Sequence, residues 1–245
     1  MAQEKIIKAF PDSGRGRTDF GWLKPAYSFS FNRFWDPERM GFGLLRVLND
    51  DWVAPGRGFP KHPHEHMEII TIVKEGAVAH EDSAGNQAEV PAGDVQWMSA
   101  GNGVVHSEFN PKEDQPLKLF QIWIQPPQQN KDLPPAYGQK TFPPGESEGK
   151  WQRLISPDGS QGSIAIRQEA YIHRARLQPG QELTYSLQQP ATNGLYLHVD
   201  KGQVAVAEHN LGPGDGLGIA GREEITLSAR QATEVLALEV PMHPN

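Results

Sequence analysis

The sequence predicts an all-β protein of the sandwich or barrel type, and three observations carry that expectation. Turn dipeptides recur at Pro55-Gly56, Pro179-Gly180 and Pro213-Gly214, within a chain holding 25 Gly and 21 Pro. Between them lie β-branched or aromatic runs of strand length: 69–73, 120–124 and 195–199. Helical periodicity is nearly absent. Short alternating segments punctuated by Gly and Pro are the pattern of stacked or closed sheets. The helix candidate is a single turn at Asp36-Pro37-Glu38-Arg39-Met40. There Asp36 can accept backbone N–H bonds as the N-cap, and Pro37 takes the first helical position, where its missing N–H costs nothing.

An internal repeat organises the chain. Val90-Pro91-Ala92-Gly93-Asp94 resembles Leu211-Gly212-Pro213-Gly214-Asp215, and Val73-Lys74-Glu75-Gly76 resembles Val199-Asp200-Lys201-Gly202. The repeat implies two similar β-barrels, joined through the polar Pro- and Gly-rich stretch 125–149. The expected division is 1–135 and 136–245.

Composition sets limits on partners. The 245 residues carry a formal net charge of -7 and no Cys. An acidic balance gives no electrostatic pull toward DNA, RNA or anionic membrane. Disulfides and thiolate metal sites are excluded. The N-terminal stretch MAQEKIIKAF has no apolar signal region, and no run is apolar enough to span a bilayer, so a cytoplasmic protein is expected. Two barrels in one chain can cover each other, so a monomer is expected.

The chemistry is suggested by two couplets, His62-Pro63-His64 and His106-Ser107-Glu108. On a strand, residues i and i+2 share a face. Each couplet can therefore aim two donors at one interior. Three imidazoles and a carboxylate suit Fe(II), Mn(II), Ni(II), Cu(II) or Zn(II). An ungapped alignment of the repeat sets His106 opposite Leu227, Glu108 opposite Ala229, His62 opposite Gln188 and His64 opposite Pro190. The second copy is thus expected to be metal-free and structural.

The run from His62 to Glu68 and the Gly85-x5-Pro91-x-Gly93 pattern look like the two cupin motifs. Longer strings are more specific: SFSFNRFWDPERMGFGLLRVLNDD, GFPKHPHEHMEIITIVKEG, PAGDVQWMSAGNGVVHSEFNP and LFQIWI resemble the pirin family over residues 17–126. The C-terminal half resembles that family's degenerate second cupin more loosely. The resemblance implies two tandem jelly-roll-like cupin barrels with one divalent metal in the first. Fe(II) is the expected ion, with Zn, Mn, Ni, Cu or Co as alternatives. It implies His62, His64, His106 and Glu108 as ligands, with no departure from the family motif. It also implies quercetinase activity, in which O₂ opens a flavonol ring and carbon monoxide is released. The partners would then be a small aromatic or flavonoid substrate and O₂. The family's role as a nuclear co-regulator in eukaryotes implies a second reading, a redox-responsive iron protein that binds a protein partner.

Glu68 competes for a place at the metal. In the general cupin motif this Glu is a ligand, and on an unbroken strand residues 62, 64, 66 and 68 would all face inward. The pirin pattern instead takes its carboxylate from position 108. Glu68 is therefore expected beside the metal as an acid/base or supporting group, with a buried carboxylate paired to Arg as the alternative. Glu108 is the other candidate base. His66 is expected at the rim and His80 in a hydrogen bond at a hairpin. His173, His198, His209 and His243 are expected to be structural or at the surface. Among Phe29, Phe31, Phe34, Trp35, Phe59 and Trp97, one or two are expected to line a flat apolar pocket, the rest to form core.

Overall fold

The computed structural model describes residues 5–244. Residues 5–141 form β1 (Ile6–Phe10), β2 (Gly16–Arg17), β3 (Leu23–Tyr27), β4 (Leu45–Val53), β5 (Gly58–His64), β6 (Glu68–Glu75), β7 (Ala77–Asp82), β8 (Gln87–Pro91), β9 (Asp94–Ser99), β10 (Val104–Phe109), β11 (Leu117–Ile124) and, beyond the expected boundary at 135/136, β12 (Ala136–Thr141). The C-terminal part contributes β13 (Gln152–Ser156), β14 (Ile164–Ala165), β15 (Tyr171–Leu177), β16 (Glu182–Ser186), β17 (Asn193–Lys201), β18 (Val204–Val206), β19 (His209–Leu211), β20 (Gly216–Ala220), β21 (Glu224–Ala229) and β22 (Thr233–Pro241). The predicted single turn is present as a 3₁₀ helix over Pro37–Arg39, with Asp36 Oδ1 accepting the Glu38 N–H at 2.9 Å. No helix among the described residues is long and apolar enough to cross a membrane.

The strands form four sheets. Two have seven strands, ordered β12-β9-β6-β11-β4-β3-β2 and β1-β20-β17-β22-β15-β13-β14. Two have four, ordered β5-β10-β7-β8 and β16-β21-β18-β19. The repeat is visible in these orders, since β9-β6-β11-β4 matches β20-β17-β22-β15 and β5-β10-β7-β8 matches β16-β21-β18-β19. Its glycines occupy equivalent turns, Gly76 at φ 75° and Gly202 at φ 79°, where a side chain would be strained. The outer strands are exchanged: β1 pairs with β20 of the second half, and β12 pairs with β9 of the first.

The expectation of closed jelly-roll barrels is not met. Each half is a seven-stranded sheet facing a four-stranded one, and no strand ladder among the described residues joins the two. The edge next to the metal-ligand couplet shows why. Strand β5 carries Pro60 and Pro63, which have no N–H to offer a further strand. The opposite edge, β8, ends in Pro91. The four-stranded sheet therefore stops, leaving the sandwich open beside β5.

The two large sheets pack against each other through Ile70, Ile72, Phe120 and Ile122 on one side and Ile172, Tyr196, Leu236 and Leu238 on the other. Inside the C-terminal sandwich one continuous apolar cluster runs from Ala175 through Leu197, Leu217 and Leu227 to Ala237. Inside the N-terminal sandwich the corresponding core is split. One cluster lies around Leu23, Val53, Val78 and Leu119, and a smaller one holds Ile69, Met98, Ala100 and Val104.

Candidate metal centre

Strands β5 and β10 are antiparallel neighbours, with His62 directly opposite His106. A bulge follows, because two residues of β10, from His106 to Glu108, span three of β5, from His62 to Phe59. Bulges of this kind re-aim side chains beside functional sites. Alternation then places His62 and His64 of one strand on the same face as His106 and Glu108 of the other.

The three imidazoles converge, with ring centroids 4.5 Å apart for His62–His106, 4.7 Å for His62–His64 and 4.9 Å for His64–His106. Their nitrogens form a group able to hold a metal ion. His62 Nδ1 lies 2.8 Å from the Pro60 carbonyl. A carbonyl only accepts, so Nδ1 carries the proton and Nε2 presents its lone pair. That Nε2 stands 3.1 Å from His106 Nε2, while buried His106 Nδ1 has no partner. Whichever tautomer His106 takes, one nitrogen is left unsatisfied. A metal held by both Nε2 atoms would use the two lone pairs that otherwise face each other, and adjacent ligands at about 2.1 Å from an octahedral ion stand about 3 Å apart. Burial first, then the neighbouring imidazoles, lower His64 to about 4 and His106 to about 3. Both are neutral at pH 7, the form that ligates. The donor set fits a divalent transition metal.

Glu108 is held by the opposite sheet. The register places Gln96, Thr71, Gln121, Asn49 and Tyr27 in one row across β9, β6, β11, β4 and β3. From this row Gln96 Nε2 donates to Glu108 Oε1 at 2.9 Å, and Gln121 Nε2 donates to Oε2 at 3.0 Å. The Thr71 hydroxyl lies 3.4 Å from Oε1. His80 sits opposite Glu108 on β7, buried, with Nε2 3.2 Å from Asp82 Oδ2. It forms a second group with metal-ligand spacing together with His106 and Glu108. Tyr137, on exchanged strand β12, stacks on His80 at 4.8 Å and donates to Gln96 Oε1.

Register also corrects the alignment of the repeat. The residue opposite Leu227 is Leu183, so Leu183, not Gln188, is the counterpart of His62. Glu108 corresponds to Ala229, and the row Gln96–Thr71–Gln121–Asn49 corresponds to Leu217–Leu197–Ala237–His173. Apolar residues therefore occupy most of the positions that build the site in the first half.

Glu68 is elsewhere. Its oxygens accept from Ser99 Oγ at 2.6 Å, Trp97 Nε1 at 2.7 Å and the Arg167 backbone N–H at 3.2 Å. The placement expected beside the metal required an unbroken strand, but the chain turns at His66 with φ 53°. That turn sends β5 and β6 into different sheets and Glu68 toward the C-terminal half. Burial raises the Glu68 pKa against its three donors. His66 itself is half-buried, 3.7 Å from Asp132.

A cavity of about 360 Å³ lies between the sheets, bounded by His62, His64, His106 and Glu108. Phe31, Phe59, Trp123 and Ile69 supply much of its apolar wall, and Tyr27, Asn49 and Asp51 complete it. Of the aromatics considered from sequence, Phe31 and Phe59 line this space, Phe29 and Trp97 are buried in core, and Trp35 is exposed. Asp51 is pushed up to about 8 by burial, then by Asp50 and Glu108, against the opposing pull of Arg15. Asp51, Asn49, Gln96 and Gln121 were missed from sequence. Their signal is cross-strand register, which no single-strand pattern contains.

Comparison with known proteins agrees with this geometry. The pirin family model matches residues 11–124, and the quercetinase C-terminal cupin domain matches 153–240. A quercetin 2,3-dioxygenase of Escherichia coli is 40% identical over 227 residues, covering 93% of this chain and 95% of its own. A putative quercetin 2,3-dioxygenase of Zymomonas mobilis is 41% identical over 233 residues, covering 94% and 96%. The crystal structure of YhhW from Escherichia coli superposes with a TM-score of 0.90 at 37% identity, covering 98% of this chain and all of that one. Bacterial pirin YhhW is also known in complex with nickel(II), at a TM-score of 0.89. Shared sequence along nearly the whole length, with the histidine cluster in place, makes this chain a member of the pirin family.

Proposed function

We propose that the protein is a metal-dependent dioxygenase of the quercetin 2,3-dioxygenase type, opening the central ring of a flavonol with O₂ and releasing carbon monoxide. The observation that carries this reading is the convergence of three imidazoles on one wall of a cavity otherwise rich in aromatic side chains. Its volume lies within the range of small-molecule pockets, about 300–1,000 Å³.

His62, His64 and His106 would hold the metal, with Glu108 as fourth ligand. Fe(II) is the proposed ion, and Ni, Zn, Mn, Cu and Co suit the same donors. When bound, such a metal supplies Lewis acidity toward a substrate hydroxyl and a redox centre for reaction with O₂. The chain supplies the rest. Phe31, Phe59 and Trp123 receive flat rings and exclude water. Pro60 fixes the tautomer of His62. Gln96 and Gln121 fix the plane of the Glu108 carboxylate, which would take the hydroxyl proton.

The test is metal analysis of the purified protein followed by oxygen uptake with quercetin on the same sample. We expect about one metal per chain and uptake that disappears on chelation and in His62→Ala. Equal turnover by stripped protein would refute the reading.

A further inference from the structure

One wall of the cavity is built unlike a structural core. Asn49 and Asp51 are alternate residues of β4, so they share a face with Val47 and Val53. Both line the cavity, and both are more than nine-tenths buried. Asn49 Oδ1 and Asp51 Oδ1 have no hydrogen-bond partner, nor does Nε1 of Trp123 on the same wall. Buried polar atoms are nearly always paired, because an unmet one costs about 1–3 kcal/mol. Three on one wall of one cavity are without return in the ligand-free fold.

The second half of the molecule provides an internal comparison. Register makes Ala175 the counterpart of Asp51 and His173 that of Asn49. Ala175 belongs to the continuous apolar cluster, and His173 is bonded to both Arg153 and Tyr185. Where the sandwich interior is filled, the unmet polar atoms are gone. Where it is open, they are kept.

We propose that Asn49 and Asp51, with Trp123 Nε1, are specificity residues that seat hydroxyl groups of the substrate from the large-sheet wall of the cavity. This deepens the dioxygenase reading and rests on it. The large sheet carries these residues and the small sheet carries the histidines. A planar substrate held at the histidines thus lies against a wall that carries hydroxyl-binding groups. The substrate class is a flavonol hydroxylated on the pendant ring. A substrate hydroxyl both donates and accepts, so it can satisfy the two side-chain oxygens and the indole N–H.

The test compares quercetin with galangin, which lacks the pendant-ring hydroxyls but keeps the 3-hydroxyl and 4-carbonyl. Calorimetric titration under nitrogen measures binding without turnover. Wild-type protein should bind quercetin about tenfold or more tighter than galangin, the effect of leaving one or two buried groups unpaired. In Asn49→Leu and Asp51→Leu the preference should fall to about threefold or less, with a melting temperature equal to or above wild type. Asp51→Asn keeps shape and hydrogen bonding, should retain the preference, and serves if a leucine variant fails to fold. Binding of both flavonols with a preference unchanged in the leucine variants would overturn the seat and leave the dioxygenase reading standing. Loss of the preference in Asp51→Asn, or no preference in wild type, would also overturn it. Failure of wild type to bind either flavonol would overturn both.

Discussion

Replacing Asp51 by Asn should make the protein's stability less sensitive to alkaline pH. In the folded chain burial pushes the Asp51 carboxyl up to about 8, from about 3.9 for a free aspartate. The groups acting on it come from several elements: Asp50 on its own strand, Glu108 on β10, and Arg15 ahead of β2. Tyr27 on β3 senses it in turn. With the folded pKa above the unfolded one, the folded state holds a proton between these values that the unfolded state has released. Stability from this group is fully present below about pH 4 and is lost as pH rises toward 8. The slope is about 1.4 kcal/mol per pH unit, flattening near 8, so the loss from pH 6 to 8 is about 2 kcal/mol. For a chain of this length that is about 4–8 °C in Tm. Asn carries no such charge. Thermal melts of chelated wild type and Asp51→Asn at pH 6, 7 and 8 should therefore diverge, with wild type falling further. Parallel lines would show that Asp51 is ionised in the folded protein and would refute the reasoning.

Other consequences are open to the same kind of measurement. Gln121→Leu removes one of the two amides on Glu108 and should weaken metal binding about 10- to 100-fold in a chelator competition; unchanged affinity would show that the carboxylate needs no such support. His198 is fully buried against Phe120 with both ring nitrogens unpartnered, and burial depresses its pKa well below 6.5. Below pH 6.5 the unfolded chain gains a proton that the folded one does not, so stability is lost as pH falls. His198→Leu should raise stability by about 1–3 kcal/mol at pH 7.5 and by more at pH 5.5; lower melting temperatures at both would refute this. Glu68→Ala leaves the Trp97, Ser99 and Arg167 donors unmet and should cost about 3 kcal/mol or more, whereas Glu68→Gln should cost less. A chemical melt in which the two variants match wild type would refute that account.

The sequence made visible whatever depends on residues near one another in the chain. The turn at Asp36-Pro37, the i and i+2 histidine couplet, and the repeat of Gly76 in Gly202 are local patterns with local causes. The same locality misled at Glu68. Two-residue periodicity runs from His62 to Glu68 on paper, but the left-handed turn at His66 ends it, and His is a residue type that tolerates that conformation. Barrel closure also needed long-range information, because Pro60 and Pro63 end the sheet only if β5 is an edge. Asn49 and Asp51 could not be singled out, since a polar residue on a strand reads as solvent-facing until its neighbours are known.

The two halves show what it takes to make such a site rather than a core. Both use the same strand order and the same Gly turns, so the fold alone does not make the pocket. The first half inserts one polar row, Gln96–Thr71–Gln121–Asn49, across its large sheet, and this row holds Glu108 from the far side of the sandwich. Its apolar core is divided in consequence, with Leu119 on one side and Met98 on the other. The second half carries Leu217, Leu197 and Ala237 there and keeps its core whole. A divided core is a stability cost, and the extensive packing between the two large sheets offsets it. On this argument the C-terminal half contributes to the chemistry without touching it. It buries the outer face of the sheet that bears Asn49, Asp51 and Gln121, so those side chains keep fixed positions while their partners are absent.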